Sequence, residues 1–133
     1  MQLKSNKHLI ARDVAGIYAF INDFRNLETV LPEQVRNFKA DADSCSFEVS
    51  GIGELALLIN ERVENRKVSA VSTGKSPLEF KLSVELHPED ENSTSVVICV
   101  NAELSPMLEM IAKNPLNNFI NIMSEKLKNA MGH

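Results

Sequence analysis

From Ser46 onward the apolar and polar residues alternate with a period of two. Phe47 and Val49 alternate with Ser46, Glu48 and Ser50. Phe80, Leu82, Val84 and Leu86 alternate strictly with Lys81, Ser83, Glu85 and His87, and Val96, Ile98, Val100 and Ala102 make another such row. This is the pattern of antiparallel strands with one face on a core and one in water. Leu55, Leu57, Ile59 and Val63 follow it less cleanly, with Leu58 on the other side, and Val68 to Thr73 is β-branched and small. Gly51-Ile52-Gly53, Gly74-Lys75-Ser76-Pro77 and Pro88 to Asn92 punctuate the runs as hairpin loops.

The two ends of the chain read differently. Residues 2–11 suit a strand in which Leu3, Leu9 and Ile10 are candidates for burial. Asp13 then caps a helix marked by Val14, Ile17, Tyr18, Ile21 and Phe24, and a second short helical piece, Leu27 to Leu31, stops at Pro32. After the strands, Ser105 is a suitable N-cap and Pro106 fits the first helical position. Leu116, Phe119, Ile120, Met123 and Leu127 recur at helical spacing, opposite Asn117, Asn118, Asn121, Glu125 and Lys128, with Gly132 as the stop. Leu108 and Ile111 lie well around the cylinder from that stripe. Pro115 stands between the two phases, which predicts a kink there and a bend of the helix around the core.

The order is therefore strand, two short helices, about six antiparallel strands and one long helix. It predicts one α+β domain over residues 1–133, with the sheet curled around the final helix. The wording of two stretches adds a resemblance. FINDFRNLETVLPE (Phe20 to Glu33), with Ile21, Asn22, Asp23, Phe24 and Leu31-Pro32, resembles the SRPBCC group, the START-like superfamily that includes polyketide cyclases. AELSPMLEMIAKNPLNNFINIMSEKL (Ala102 to Leu127) is similar to the final helix of its bacterial members. The resemblance implies a helix-grip fold: a curved antiparallel sheet of about seven strands, two short helices and a long C-terminal helix around a hydrophobic ligand cavity. It implies no particular ligand, because that superfamily spans lipid transfer, hormone binding, cyclisation and assembly roles.

Composition narrows the classes. Net charge is −4 without a basic cluster, which argues against nucleic acid or an anionic membrane as partner. No apolar run approaches the roughly 20 residues of a membrane span, and the N-terminus lacks the apolar stretch of a signal peptide. Cys45 and Cys99, far apart and without a secretion signal, read as reduced residues of a cytoplasmic protein.

Candidate chemistry is sparse. Gly51-x-Gly53 and Gly74-Lys75-Ser76 lack the further glycines and following helix of nucleotide loops and read as turns. His8, His87 and His133 are scattered, so no metal site or cofactor is expected. Cys99 falls off the inner face and has no base beside it. Glu54, Glu61, Glu64, Glu79 and Glu85 occupy mostly solvent-facing strand positions, and an acid–base pair among sheet neighbours stays open. Met107, Met110 and Met123 suit an adaptable core or a pocket.

The function expected first is binding of a small hydrophobic molecule, such as a lipid, polyketide or isoprenoid. Its walls would be Leu55, Leu57, Phe80, Leu82, Val84, Ile98 and Val100 from the sheet, closed by Phe119, Ile120 and Met123 from the helix. A cyclase- or hydratase-like enzyme in the same cavity is the second expectation, for which an inward polar group would speak. The third is an interaction or assembly accessory with a filled cavity, for which an exposed apolar patch would speak. Catalytic residues are not assigned, and the oligomeric state is left open.

Overall fold

The computed structural model describes residues 1–74, 76 and 78–132. Strands β1 (Gln2–Lys4) and β2 (His8–Ile10) lead into helix α1 (Val14–Ile21) and a 3-10 turn (Phe24–Val30). Then follow β3 (Val35–Ala40), β4 (Ser44–Val49), β5 (Gly53–Val63), β6 (Lys67–Ser72), β7 (Phe80–Asp90), β8 (Ser93–Ala102) and helix α2 (Pro106–Met131). The strands form one sheet in the order β1-β8-β7-β6-β5-β4-β3, with β2 also on β8. Every pairing is antiparallel. Among the described residues no helix is long and apolar enough to cross a membrane.

The alternation read from the chain becomes the two faces of this sheet. Leu82 pairs with Val100 and Ala70, and Val84 with Ile98 and Val68, so an apolar band runs across three strands. Side chains directly opposite share a face, which makes that band the inner wall. Cys99, opposite Ser83 and Lys4, lies on the other face as expected. The first strand is divided at Ser5, where the pairing continues through a side chain: Ser5 Oγ accepts the Ile98 N–H at 2.9 Å.

Five expectations change. Leu9 is exposed, because β2 turns Ile10 to the core instead. Phe24 is not in α1, which ends at Ile21, and Asp13 occupies the N-cap position without making a side-chain capping bond. Pro88 to Asn92 is not all loop: β7 runs on to Asp90, with Pro88 opposite Thr94 beside an irregularity in the register. Val63 is exposed, since a β-bulge between Ile59 and Glu61 shifts the alternation and brings Arg62 opposite the buried Val68. Of the Gly74 to Pro77 loop, Lys75 and Pro77 lie outside the described residues, as does His133. Strand β3 had no clear signature. It is a sheet edge with mostly exposed or half-exposed side chains and a bulge whose Asn37 has φ 56°.

Helix α2 starts as read, with Ser105 Oγ accepting the Leu108 N–H at 3.3 Å. At its end the Gly132 N–H reaches Lys128 O at 2.8 Å, and a Cβ on Gly132 would lie 2.7 Å from that same oxygen. Ala112, Leu116, Phe119, Ile120, Met123, Leu127 and Met131 are buried. The expected bend of the first turns around the core does not bury them. Met107, Leu108, Met110 and Ile111 are 72%, 40%, 83% and 54% exposed.

Candidate functional site

All ten residues expected to line the cavity are buried and belong to one apolar cluster between the sheet and α2. What they enclose is small. An apolar void of about 10 Å³ lies between Ile21, Phe24 and Leu27 of the short helices, Val68, Ala70, Leu82 and Val84 of the sheet, and Met123 of α2. Leu82, Val84 and Met123 are thus brought together at the void. Leu55, Leu57, Phe80, Ile98, Val100, Phe119 and Ile120 pack against the surrounding side chains instead. Phe119 stacks on Phe47, with ring centroids 5.5 Å apart and planes 2° from parallel. Ile21, Phe24, Leu27, Val68 and Ala70 were not expected at the site. The α1 stripe and the small-residue strand β6 were visible in the chain, but which sheet rows they would face was not.

The void's walls carry no titratable side chain. A polar cluster sits at the junction of α1 and the 3-10 turn. Arg62, placed on the inner side by the bulge, donates from Nε to Asn22 Oδ1 at 2.6 Å and from Nη2 to Asp43 Oδ1 at 2.5 Å. Asp23 accepts from the Arg25 backbone and guanidinium and caps the 3-10 turn. The Arg25 side-chain bond chiefly holds the Asp23 carboxyl below its usual range. Lys126 Nζ donates to Leu31 O at 3.0 Å, tying α2 to the Leu31-Pro32 step. These contacts join elements, so the Asn-Asp and Leu-Pro wording of this region describes an architectural joint.

The cysteines are buried and unpaired, Cys45 on the inner face of β4 and Cys99 on the outer face of β8. Burial, aided by the charge of Asp41, pushes the Cys45 thiol up to about 12. Burial and then the Glu85 charge raise Cys99 as well. The thiolate is the reactive form, so at pH 8 a thiol reagent is expected to count two cysteines only after denaturation. Fast labelling of Cys45 in the native protein would contradict its placement. Among the described residues no group of three or more His, Cys, Asp and Glu could hold a metal ion.

The roomy spaces are on the surface. One is an open cleft of about 690 Å³ at the β4–β5 hairpin, with Glu33, Gln34, Arg36, Glu48, Ile52 and Glu54 among its lining residues. Gly51, also in that cleft, has φ +88°, and a Cβ there would meet Pro115 Cγ of α2 at 3.9 Å. Pro115, inside α2, therefore lies beside the loop of that hairpin.

No protein-family model matches the chain, and no curated protein matches it in sequence. Solved structures do match over nearly the full length of both chains. A START superfamily protein from Mycobacterium smegmatis superposes with a TM-score of 0.71 at 13% identity, covering 98% of this chain and 96% of that one. The fold is the START-like helix grip. Norcoclaurine synthase of Thalictrum flavum, a point mutant in complex with a transition-state analogue, shares it with a TM-score of 0.75 at 10% identity, covering 98% and 93%. So does the Aha1 dimer of Colwellia psychrerythraea, at 0.64 and 16% identity, covering 99% and 96%. An enzyme with bound ligand and an Aha1 dimer thus stand on one helix grip, and at these identities the likeness carries the fold alone. In this helix grip the grip itself is tight: the sheet closes on α2 through side chains, and four of the exposed large apolar residues, Met107, Leu108, Met110 and Ile111, are at the start of the helix.

Proposed function

We propose that this chain is a binding module that recognises a partner through the outward face of α2, with its interior filled by its own side chains. The observation that carries this reading is the outward apolar face of Met107, Leu108, Met110 and Ile111. At about 100° per residue, its centre lies roughly 160° around the helix from the buried stripe. Contiguous exposed apolar residues on an otherwise well-packed domain mark an interaction surface. The 10 Å³ void supports the same reading, since ligand pockets are typically about 300–1,000 Å³.

The second reading is a small hydrophobic ligand held by Leu55, Leu57, Phe80, Leu82, Val84, Ile98, Val100, Phe119, Ile120 and Met123. What favours it is the wholly apolar wall around the remaining void, with an adaptable methionine in it, and the fold's use in ligand binding. It requires the wall to move apart. A cyclase-like reaction would need a polar group at that void, and its lining supplies none. The cytoplasm is the compartment we assign, on the two unpaired cysteines.

Titration with a fatty acid and an environment-sensitive apolar dye separates the readings. For the binding module, neither probe is expected to saturate at one site per chain or to raise the melting temperature. A ligand of the native state at a hundred times its Kd would stabilise the fold by about 2.7 kcal/mol. Such a rise, insensitive to Met110→Ser, would put the interior ligand first.

A further inference from the structure

The chain has 5 methionines, and the fold sorts them by access. Met123 and Met131 are 1% and 6% exposed on the packed side of α2, and Met1 is partly buried against the core. Met107 and Met110, the two most exposed of the large apolar residues, stand free in the first turns of the same helix. Three residues apart, they are neighbours on one side of it. The side chains that would compete with them for an oxidant are withdrawn. The sequence has no tryptophan, and Cys45 and Cys99 are both buried. Burial also holds both thiols above their usual range, and the thiolate is the form that oxidants attack.

Resting on the reading of α2 as a recognition face, we propose that Met107 and Met110 are a paired oxidation site through which hydrogen peroxide switches that face off. A lone pair of the thioether sulfur takes one oxygen of the peroxide, so an S–O bond forms as the O–O bond breaks. The departing hydroxide takes the proton from the transferred oxygen and leaves as water. Sulfur loses two electrons and the peroxide gains them, and the product is methionine sulfoxide. Its oxygen accepts hydrogen bonds from water, so half of the Met107, Leu108, Met110 and Ile111 patch becomes polar. The fold is spared, because neither side chain belongs to the buried cluster. The same change at Met123 would set a polar oxygen without a partner into the apolar wall of the void. A sulfoxide reductase supplied with a dithiol reverses the reaction, so the exposed pair can be cycled without unfolding.

The test treats the whole chain with hydrogen peroxide at neutral pH and follows each methionine and cysteine by peptide mass spectrometry. Met107 and Met110 are expected to gain one oxygen each at least about tenfold faster than Met123 or Met131. The doubly oxidised protein should keep the parent's melting temperature and elute earlier from a phenyl resin, close to the variant carrying Met107→Ser and Met110→Ser. The variant carrying Met107→Leu and Met110→Leu keeps an apolar face without the sulfurs, so peroxide should leave its elution unchanged. Oxygen entering Met123 or either cysteine first overturns the proposal, as does a melting temperature lowered by the first two oxygens. So does a leucine variant that shifts as far as the parent. Each of these outcomes leaves the recognition face standing. Untreated parent eluting together with the serine variant would show that the face is not available to an apolar surface, and both readings would fall.

Discussion

Phe119→Ala is expected to lower the unfolding free energy by about 3–5 kcal/mol, the usual range for removing a buried phenylalanine. The residue is buried at the middle of α2 and lies flat on Phe47, which in turn stacks on Phe38 at 6.4 Å. Removing its ring strips contacts from both Phe47 and the sheet below. Little can collapse into the gap, because the surrounding strands are held in register by β5 and β3 on either side of β4. Asn118, one residue away and exposed, is the control: its change to alanine should stay within about 0.5 kcal/mol. Urea denaturation of the two variants measures both numbers. A loss below about 1 kcal/mol for Phe119→Ala would mean that α2 is rotated from the orientation described.

Enlarging the interior side chains should be costly too. Val84→Trp and Ala102→Phe each place an aromatic ring against the inner wall, and each is expected to destabilise by about 1–3 kcal/mol. Val84 lines the 10 Å³ void, while Ala102 pairs with Phe80 at the end of the same row. An engineered cavity that admits a benzene-sized molecule measures about 150 Å³, so neither ring finds room without displacing its neighbours. A helix grip that opens to hold a ligand predicts the reverse. There the rings would occupy space meant for the ligand, stability would change little, and apolar probes would bind less tightly. Thermal and chemical denaturation of both variants, beside probe titration of the parent, decides between a filled and an expandable interior.

Much of the fold was legible along the chain because its causes are local. A period of two in Phe80–Leu86 and Val96–Ala102 assigns each residue to a face whatever the neighbouring strand proves to be. Likewise the spacing of Leu116, Phe119, Ile120, Met123 and Leu127 marks the buried side of α2, and Ser105 and Gly132 mark its ends. Even the second phase of Leu108 and Ile111 was visible.

Its meaning was not. Whether a second apolar phase bends onto a core or faces water depends on where the sheet ends, and only the folded arrangement supplies that. The same holds for Arg62, whose place on the inner side comes from one extra residue in a strand pairing and not from any sign in its own neighbourhood. Edge strand β3, without a second partner or a buried row, leaves no period to read. By itself, then, the sequence determined the order of the elements except edge strand β3, and the faces of β7, β8 and the buried stripe of α2, which follow from contacts between near neighbours. The tertiary structure decided how far the sheet and α2 close on each other, and so which apolar surface stays open. That is a matter of packing volumes summed over strands distant in the chain, to which periodicity is blind.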